Sequence, residues 1–391
     1  MASLAIPPKM NVARTAEALA LYVHWPFCVS KCPYCDFNSH VRASIEQDEW
    51  RDALLQDLAH EAALLPGRTL SSIFFGGGTP SLMDPSTVEA VVDAAVGYWP
   101  AADDLEITLE ANPNSAEAAR FQDLAGAGVN RISLGLQSFD DKSLAFLGRA
   151  HSADEGLKAL MAAQSAVRRV NFDLIYALPR DTPEGWSATL DRALAQGTEH
   201  LSLYQLTIEP GTRFATMVAK HEFEPLDSDR AADLFELTQD KTEAAGLPAY
   251  EVSNHARPGA ESRHNLTYWR YLDYAGVGPG AHGRRSGMRT VRHRKPENFL
   301  SAVARNGHGL AEEECLSRSE AAHEALVMGL RLTEGIDPQT LAQRLGIDRL
   351  VDNSAVDRLV RQNLLSFDGN LLRTTAAGRL VLDSVLAEIA A

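Results

Sequence analysis

Cys28, Cys32 and Cys35 stand within eight residues, while the fourth cysteine, Cys315, lies far along the chain. Three thiolates at C-x3-C-x2-C spacing suit one soft, thiophilic centre such as an iron–sulfur cluster, which three protein ligands would hold with one iron left open. A zinc site wants a fourth ligand, and a disulfide leaves one thiol unpaired. The bland alternative is a chance knot of buried thiols. Context disfavours it, because the triplet directly follows an apolar strand-like run and Tyr34 precedes the last cysteine. Clustered cysteines without a disulfide framework also suit a reducing compartment. Cys315 has no second thiol near it in sequence and reads as a structural thiol.

The elements that must position these groups show in the periodicity. Apolar strand-like runs at residues 19–25, 72–75, 105–110, 131–136, 170–176 and 201–206 alternate with Ala- and Leu-rich helical stretches at 48–64, 86–96, 115–125, 153–166 and 183–195. That alternation calls for βα units and a parallel sheet. The unusual polar residues then fall at or just beyond strand C-termini: Cys28 to Cys35, Gly76-Gly77-Gly78-Thr79-Pro80, Glu110-Ala111-Asn112-Pro113, Gln137-Ser138, Asp173 and Gln205. Taken singly, each is a strand-end group facing water, and a glycine run also makes turns. At successive strand ends they build a site, as in barrel-like α/β enzymes. Six units instead of eight predict an incomplete barrel, open on one side.

A chain of 391 residues with 45% hydrophobic content can bury a large core and an appendage. Its formal charge of −15 argues against nucleic acid or an anionic membrane as main partner. No run of about 18 uncharged apolar residues suggests a membrane span. Residues 1–20 lack the features of a signal peptide, so the expected location is the cytoplasm. The expected organisation is a leader at 1–18, a barrel at 19–250, a connecting segment at 251–316 and a C-terminal helical, winged-helix-like domain at 317–391. In the last, helices at 319–332, 338–345 and 354–362 precede two apolar runs around Asp368-Gly369, a hairpin signal. From Thr333 onward six Arg and no Lys face eight Asp plus Glu, a net charge of −2 that suits a lid or docking domain and not a phosphate grip.

These features resemble the radical S-adenosylmethionine (SAM) superfamily and, within it, the oxygen-independent coproporphyrinogen oxidase family, over nearly the whole chain. The phrases Tyr22-Val23-His24-Trp25-Pro26-Phe27-Cys28, Gly135-Leu136-Gln137-Ser138-Phe139, Leu147-Gly148-Arg149-Ala150-His151 and Asn171-Phe172-Asp173-Leu174-Ile175-Tyr176 carry the likeness. The resemblance implies a partial (β/α)6 barrel with a [4Fe-4S] cluster on Cys28, Cys32 and Cys35. It also implies SAM held by Tyr22, Tyr34, Gly77, Gly78, Thr79, Glu110, Gln137, Arg149 and Asp173. The open iron would chelate the amino and carboxylate groups of SAM, and an electron passed to the sulfonium would cleave a carbon–sulfur bond.

Two subfamilies then separate. Coproporphyrinogen dehydrogenases carry a further cysteine two positions after the third cluster cysteine and a longer N-terminal segment; this chain has Phe37 there and 27 residues before Cys28. His264-Asn265-Leu266-Thr267-Tyr268-Trp269 is similar to the H-N-x-x-Y-W segment of HemW heme chaperones. That likeness implies heme binding, with His264 as an iron ligand and Tyr268 and Trp269 against the porphyrin, and transfer of heme to recipient apo-hemoproteins. Locally, the same residues also fit a hydrogen-bonded histidine beside two core aromatics. Oxygen-independent coproporphyrinogen III dehydrogenase is the alternative function, and self-association as a homodimer is left open. The basic run from Arg284 to Lys295 holds five Arg, His293 and Lys295 without an acidic residue. It reads as a solvated loop, with pairing to heme propionates as the second reading.

Overall fold

The computed structural model describes residues 18–42 and 44–390. The leader expected at 1–18 lies outside them, apart from Ala18, the first residue of β1. The central sheet begins with β1 (Ala18–Trp25); two short strands, β2 (Phe27–Cys28) and β3 (His40–Val41), pair in parallel and close the loop that follows it. The sheet continues through β4 (Thr69–Gly77), β5 (Ala101–Ala111), β6 (Arg131–Gln137), β7 (Arg169–Tyr176) and β8 (His200–Gln205). These six large strands are parallel, and each lies beside its predecessor in the order β1-β4-β5-β6-β7-β8. An order that never reverses winds the crossover helices to one side, the habit of a barrel and not of a doubly wound sheet. The expected helices appear at Gln47–Leu64, Pro85–Tyr98, Ala153–Ala166 and Pro183–Leu194, while 115–125 splits into Ser115–Ala118 and Phe121–Gly126.

The stretch 251–316 carries more regular structure than its sequence suggested. It adds β9 (Asn254–Ala256) antiparallel to β8, and then β10 (Tyr274–Val277) parallel to β1. β11 (His282–Arg285), β12 (Met288–Arg292) and β13 (Leu310–Cys315) follow in antiparallel register, giving an open sheet of 11 strands with β13 and β9 at its edges. The basic run is therefore no solvated loop. Arg284, Arg285 and Arg292 are buried on the β11–β12 hairpin. Arg292 reaches Glu61 at 2.6 Å and Asp57 at 3.2 Å, and Arg285 reaches Glu61 at 3.0 Å. Asp57 and Glu61 lie one turn apart on one face of helix Gln47–Leu64, so that helix buries two carboxylates where an apolar stripe would be expected. Asp57 also accepts the backbone N–H groups of Gly278 and Gly309. Pairing and hydrogen bonding together make these buried charges tolerable.

Beneath this edge, Trp25, Phe27, Trp50 and Phe299 pack ring against ring, with centroids 5.1–6.1 Å apart. The C-terminal unit has its own core, from Leu326 and Leu330 to Leu386 and Ile389. Its helices Arg318–Gly329, Pro338–Leu345 and Asn353–Arg361 lead to a hairpin, Leu365–Phe367 with Leu372–Thr374, matching the expected winged-helix-like order. Cys315 is exposed at the end of edge strand β13, so its thiol has no packing role in the core.

Candidate functional site

The cysteine loop is fixed from both ends. Phe27 and Cys28 pair with His40 and Val41, the Cys35 N–H closes a turn onto the Cys32 carbonyl at 3.2 Å, and the Phe214 N–H binds the Pro33 carbonyl at 2.9 Å. Pro33 also fills the space over Gly148, where a Cβ would lie 2.6 Å from its Cδ. The glycine segment docks on the same loop: Gly78 N–H donates to the Trp25 carbonyl at 2.7 Å and Thr79 N–H to that of Phe27 at 2.8 Å. Two glycines are sterically required here. Gly77 takes φ +109° and any Cβ would strike the His24 ring; a Cβ on Gly78 would lie 2.6 Å from the Phe27 carbonyl oxygen.

One cavity at the strand C-termini gathers eleven of the thirteen residues expected from the sequence: Cys28, Cys32, Cys35, Tyr34, Gly77, Gly78, Thr79, Glu110, Gln137, Arg149 and Asp173. Two of the thiols are joined by a polar relay. Thr79 Oγ1 lies 3.4 Å from Cys28 Sγ and accepts from Asn112 Nδ2 at 2.8 Å; Arg149 donates to Asn112 Oδ1 at 2.6 Å and lies 3.4 Å from Cys32 Sγ. Asn112 thus links both contacts, a role its sequence position beside Pro113 did not reveal. Glu117 was missed as well. It is buried and accepts from Ser81 and, at 2.8 Å, from the Asn112 N–H, fixing the turn after β5.

The carboxylates sit in a low-dielectric wall. Burial, with Asp173 nearby, raises the Glu110 pKa to about 8 although Glu110 accepts the Gly77 N–H at 3.1 Å; burial raises Asp173 to about 6. Burial also pushes the Cys28 and Cys35 thiols up. Gln137 holds a left-handed backbone at φ +67°. Its Oε1 and Arg149 Nε are buried without a partner among the described residues, as groups awaiting a polar ligand would be. Also among the described residues, no three His, Cys, Asp or Glu side chains converge closely enough to hold a single metal ion. What the three thiols share is a wall of one cavity, a donor set that fits a multi-iron cluster with an open iron.

Tyr22 and His264 lie outside this cavity. Tyr22 lines a second chamber next door, with His24, Asn38, Tyr268, Tyr274, Gly280, His282 and Arg294; Phe37, Gly77 and Glu110 line both spaces. His264 is 1% exposed, on helix Arg263–Trp269, whose N-terminal amides bind Glu106. Glu106 and Glu110 are four residues apart on β5 and share one face of the sheet, so His264 lies in the layer below the cavity. Its ring stacks on Phe74 at 4.6 Å; Nδ1 bonds Ser72 Oγ at 3.2 Å and Nε2 bonds the Tyr268 hydroxyl at 2.6 Å. Burial lowers its pKa to about 3. Both nitrogens are engaged, so this histidine presents no lone pair to a ligand here. The two aromatics of the segment also part: Tyr268 faces the second chamber, while Arg331 of the C-terminal unit lies over Trp269 at 4.5 Å.

The sequence matches the radical SAM superfamily over residues 22–193 and the HemN C-terminal domain over 316–381. It is 41% identical to "Radical S-adenosyl methionine domain-containing protein 1, mitochondrial" of Mus musculus, covering 98% of this chain and 89% of that one. It is 38% identical to "Heme chaperone HemW" of Escherichia coli (strain K12), covering 94% and 97%. The chain belongs to the HemW family of radical SAM proteins. In fold it follows the solved coproporphyrinogen III oxidase (HemN) of Escherichia coli, with a TM-score of 0.79 over 96% of this chain and 91% of that one, at 23% identity. The cysteine triplet and the glycine segment stand in the cavity, and His264 lies in the layer beneath it. No helix among the described residues is long and apolar enough to cross a membrane.

Proposed function

We propose that the chain is a heme chaperone: it binds heme and passes it to recipient apo-hemoproteins, and it carries a [4Fe-4S] cluster and SAM. What supports this above all is the near full-length likeness to proteins named heme chaperones. Cys28, Cys32 and Cys35 would hold the cluster. Thr79 and Arg149 stand where they can donate to its sulfur ligands Cys28 and Cys32. Gly77 and Gly78 leave the backbone open to the methionine end of SAM, and Glu110, Gln137 and Asp173 offer acceptors for ribose hydroxyls and the amino group. When bound, the cluster and SAM supply one-electron chemistry at the sulfonium. Phe37, at the position of the extra cysteine in the dehydrogenases, lines the cavity without a thiol. The cluster reading and the cysteine usage favour a reducing compartment such as the cytoplasm.

The test is anaerobic purification with cluster reconstitution, followed by parallel heme titration, transfer to an apo-hemoprotein and assay with coproporphyrinogen III, SAM and a reductant. Saturable heme binding with transfer, and no protoporphyrinogen IX, is the expected result. Robust turnover of coproporphyrinogen III without heme transfer would replace this reading with the dehydrogenase.

A further inference from the structure

The second chamber has the makings of a cargo site, and it contains a different histidine from the one the motif singles out. Five imidazoles lie near the strand ends; His40, on β3, bonds Asn38 Oδ1 at 3.3 Å and lines neither space. His264 is saturated by Ser72 and Tyr268. His24 is equally engaged, by the Tyr22 hydroxyl and the Asn38 carbonyl, each at 2.9 Å. His151 bonds the Leu136 carbonyl at 3.1 Å on the far wall of the sulfur-lined cavity. His282, at the start of β11, is exposed at the mouth of the second chamber, and its ring has no hydrogen-bond partner among the described residues.

The chamber walls suit a flat, amphipathic ring. Tyr22, Tyr268 and Tyr274 supply aromatic surface, Tyr268 and Tyr274 meeting edge to face at 4.4 Å, and Arg294 stands exposed at the rim. Its position is fixed from below, since Asn38 Nδ2 binds the carbonyls of both Pro279 and Arg294 at 2.9 Å. A volume of about 350 Å³ takes part of a macrocycle and leaves an edge in solvent. A protein that must later give the porphyrin up needs that exposed edge. Partial enclosure of its ring by the chamber, with Arg294 and Arg289 nearby, lowers the His282 pKa from the usual imidazole value and so favours the neutral, iron-binding form.

We infer that heme is held in this second chamber with the His282 imidazole as iron ligand and the Arg294 guanidinium beside a propionate. The inference rests on the heme-chaperone reading. It gives the H-N-x-x-Y-W segment a different part from the one its sequence suggests: His264 holds the Tyr268 hydroxyl from below, and Tyr268 forms the chamber wall. Because Phe37, Gly77 and Glu110 line both spaces, cargo held here would adjoin the sulfur-lined cavity.

The test is titration of cluster-reconstituted protein with ferric heme, read as the Soret difference spectrum against the same protein without heme. His282→Ala is expected to shift the Soret band and weaken binding by about tenfold or more, with added imidazole restoring the band and cluster absorption unchanged. Arg294→Gln should weaken binding about threefold with the spectrum intact. His264→Phe, which keeps the ring stack, should keep the wild-type spectrum. An unchanged spectrum and affinity in His282→Ala, with wild-type binding and transfer intact, would overturn this assignment alone. Absence of saturable heme binding in the wild type would remove the chaperone reading along with it.

Discussion

The sulfur-lined cavity and the layer beneath it are built from similar residues on the same sheet face, yet Gln137, Arg149 and Glu110 above and His264 and Glu106 below are in opposite states. Above, Gln137 Oε1 and Arg149 Nε are buried without partners, Glu110 is held near pKa 8, and two thiols accept only long contacts. Below, His264 has both nitrogens bonded, and Glu106 is met by Arg169 at 2.6 Å and by backbone amides. A buried polar atom without a partner costs free energy in the empty protein and is recovered only by a ligand. Satisfied groups stabilise the fold and have little left to offer a ligand. The upper region is therefore the place to look for cofactor binding, and the lower one for stability.

Mutations can separate the two. The largest effect is expected above: Cys28→Ala, Cys32→Ala or Cys35→Ala should each abolish the cluster, measured by iron and sulfide content and visible absorption, with little change in melting temperature of the metal-free protein. Cys315→Ala should leave the cluster intact. An intact cluster in Cys32→Ala would break the comparison at its strongest point. Next comes the buried charge pair that attaches the outer strands. Arg292→Ala leaves Asp57 without an ion-pair partner and Glu61 with Arg285 alone, and should destabilise the fold by about 3–5 kcal/mol in denaturant titration.

His264→Ala should cost about 1–3 kcal/mol through its two hydrogen bonds, while SAM affinity at matched cluster occupancy stays the same. This histidine also gives the lower layer a pH signature. It is neutral in the fold, with a pKa near 3, and binds a proton near pH 6.5 when unfolded. Its stability contribution is whole above pH 6.5 and is lost as pH falls toward 3, so the wild type should lose more stability than His264→Phe between pH 7 and pH 5. Glu110 has the opposite sign and the smallest expected effect. Its folded pKa is raised to about 8, so stability is highest below the unfolded value near 4.5 and declines as pH rises through 8. Glu110→Gln should flatten that decline and be more stable than the wild type at pH 8 in the cofactor-free protein. A variant no more stable than wild type there would mean that Glu110 is less strained than the upper region's other groups.

The sequence by itself determined the sulfur-lined cavity. Its cysteine spacing, and the placement of Gly77, Glu110, Gln137 and Asp173 at the ends of apolar runs, are local properties, and a parallel βα succession carries every strand C-terminus to one rim. Arg149 came with them through its local phrase. The outer strands were not legible, because β10 to β13 are short, β11 and β12 are Arg-rich and β13 carries three Glu, and Arg292 becomes a core residue only through Asp57 and Glu61, more than 230 residues earlier in the chain. Asn112 likewise gains its role only once Thr79 and Arg149 arrive from other loops. The same holds for the histidines. His264 and His282 are the same residue type in glycine- and aromatic-rich surroundings, and no local pattern says which one is sealed. Tertiary structure decided it by laying Ser72 and Phe74 against one ring, whose other nitrogen Tyr268 takes one helical turn on, and leaving the other ring at a chamber mouth, because Ser72 and Phe74 come from a strand roughly 190 residues away.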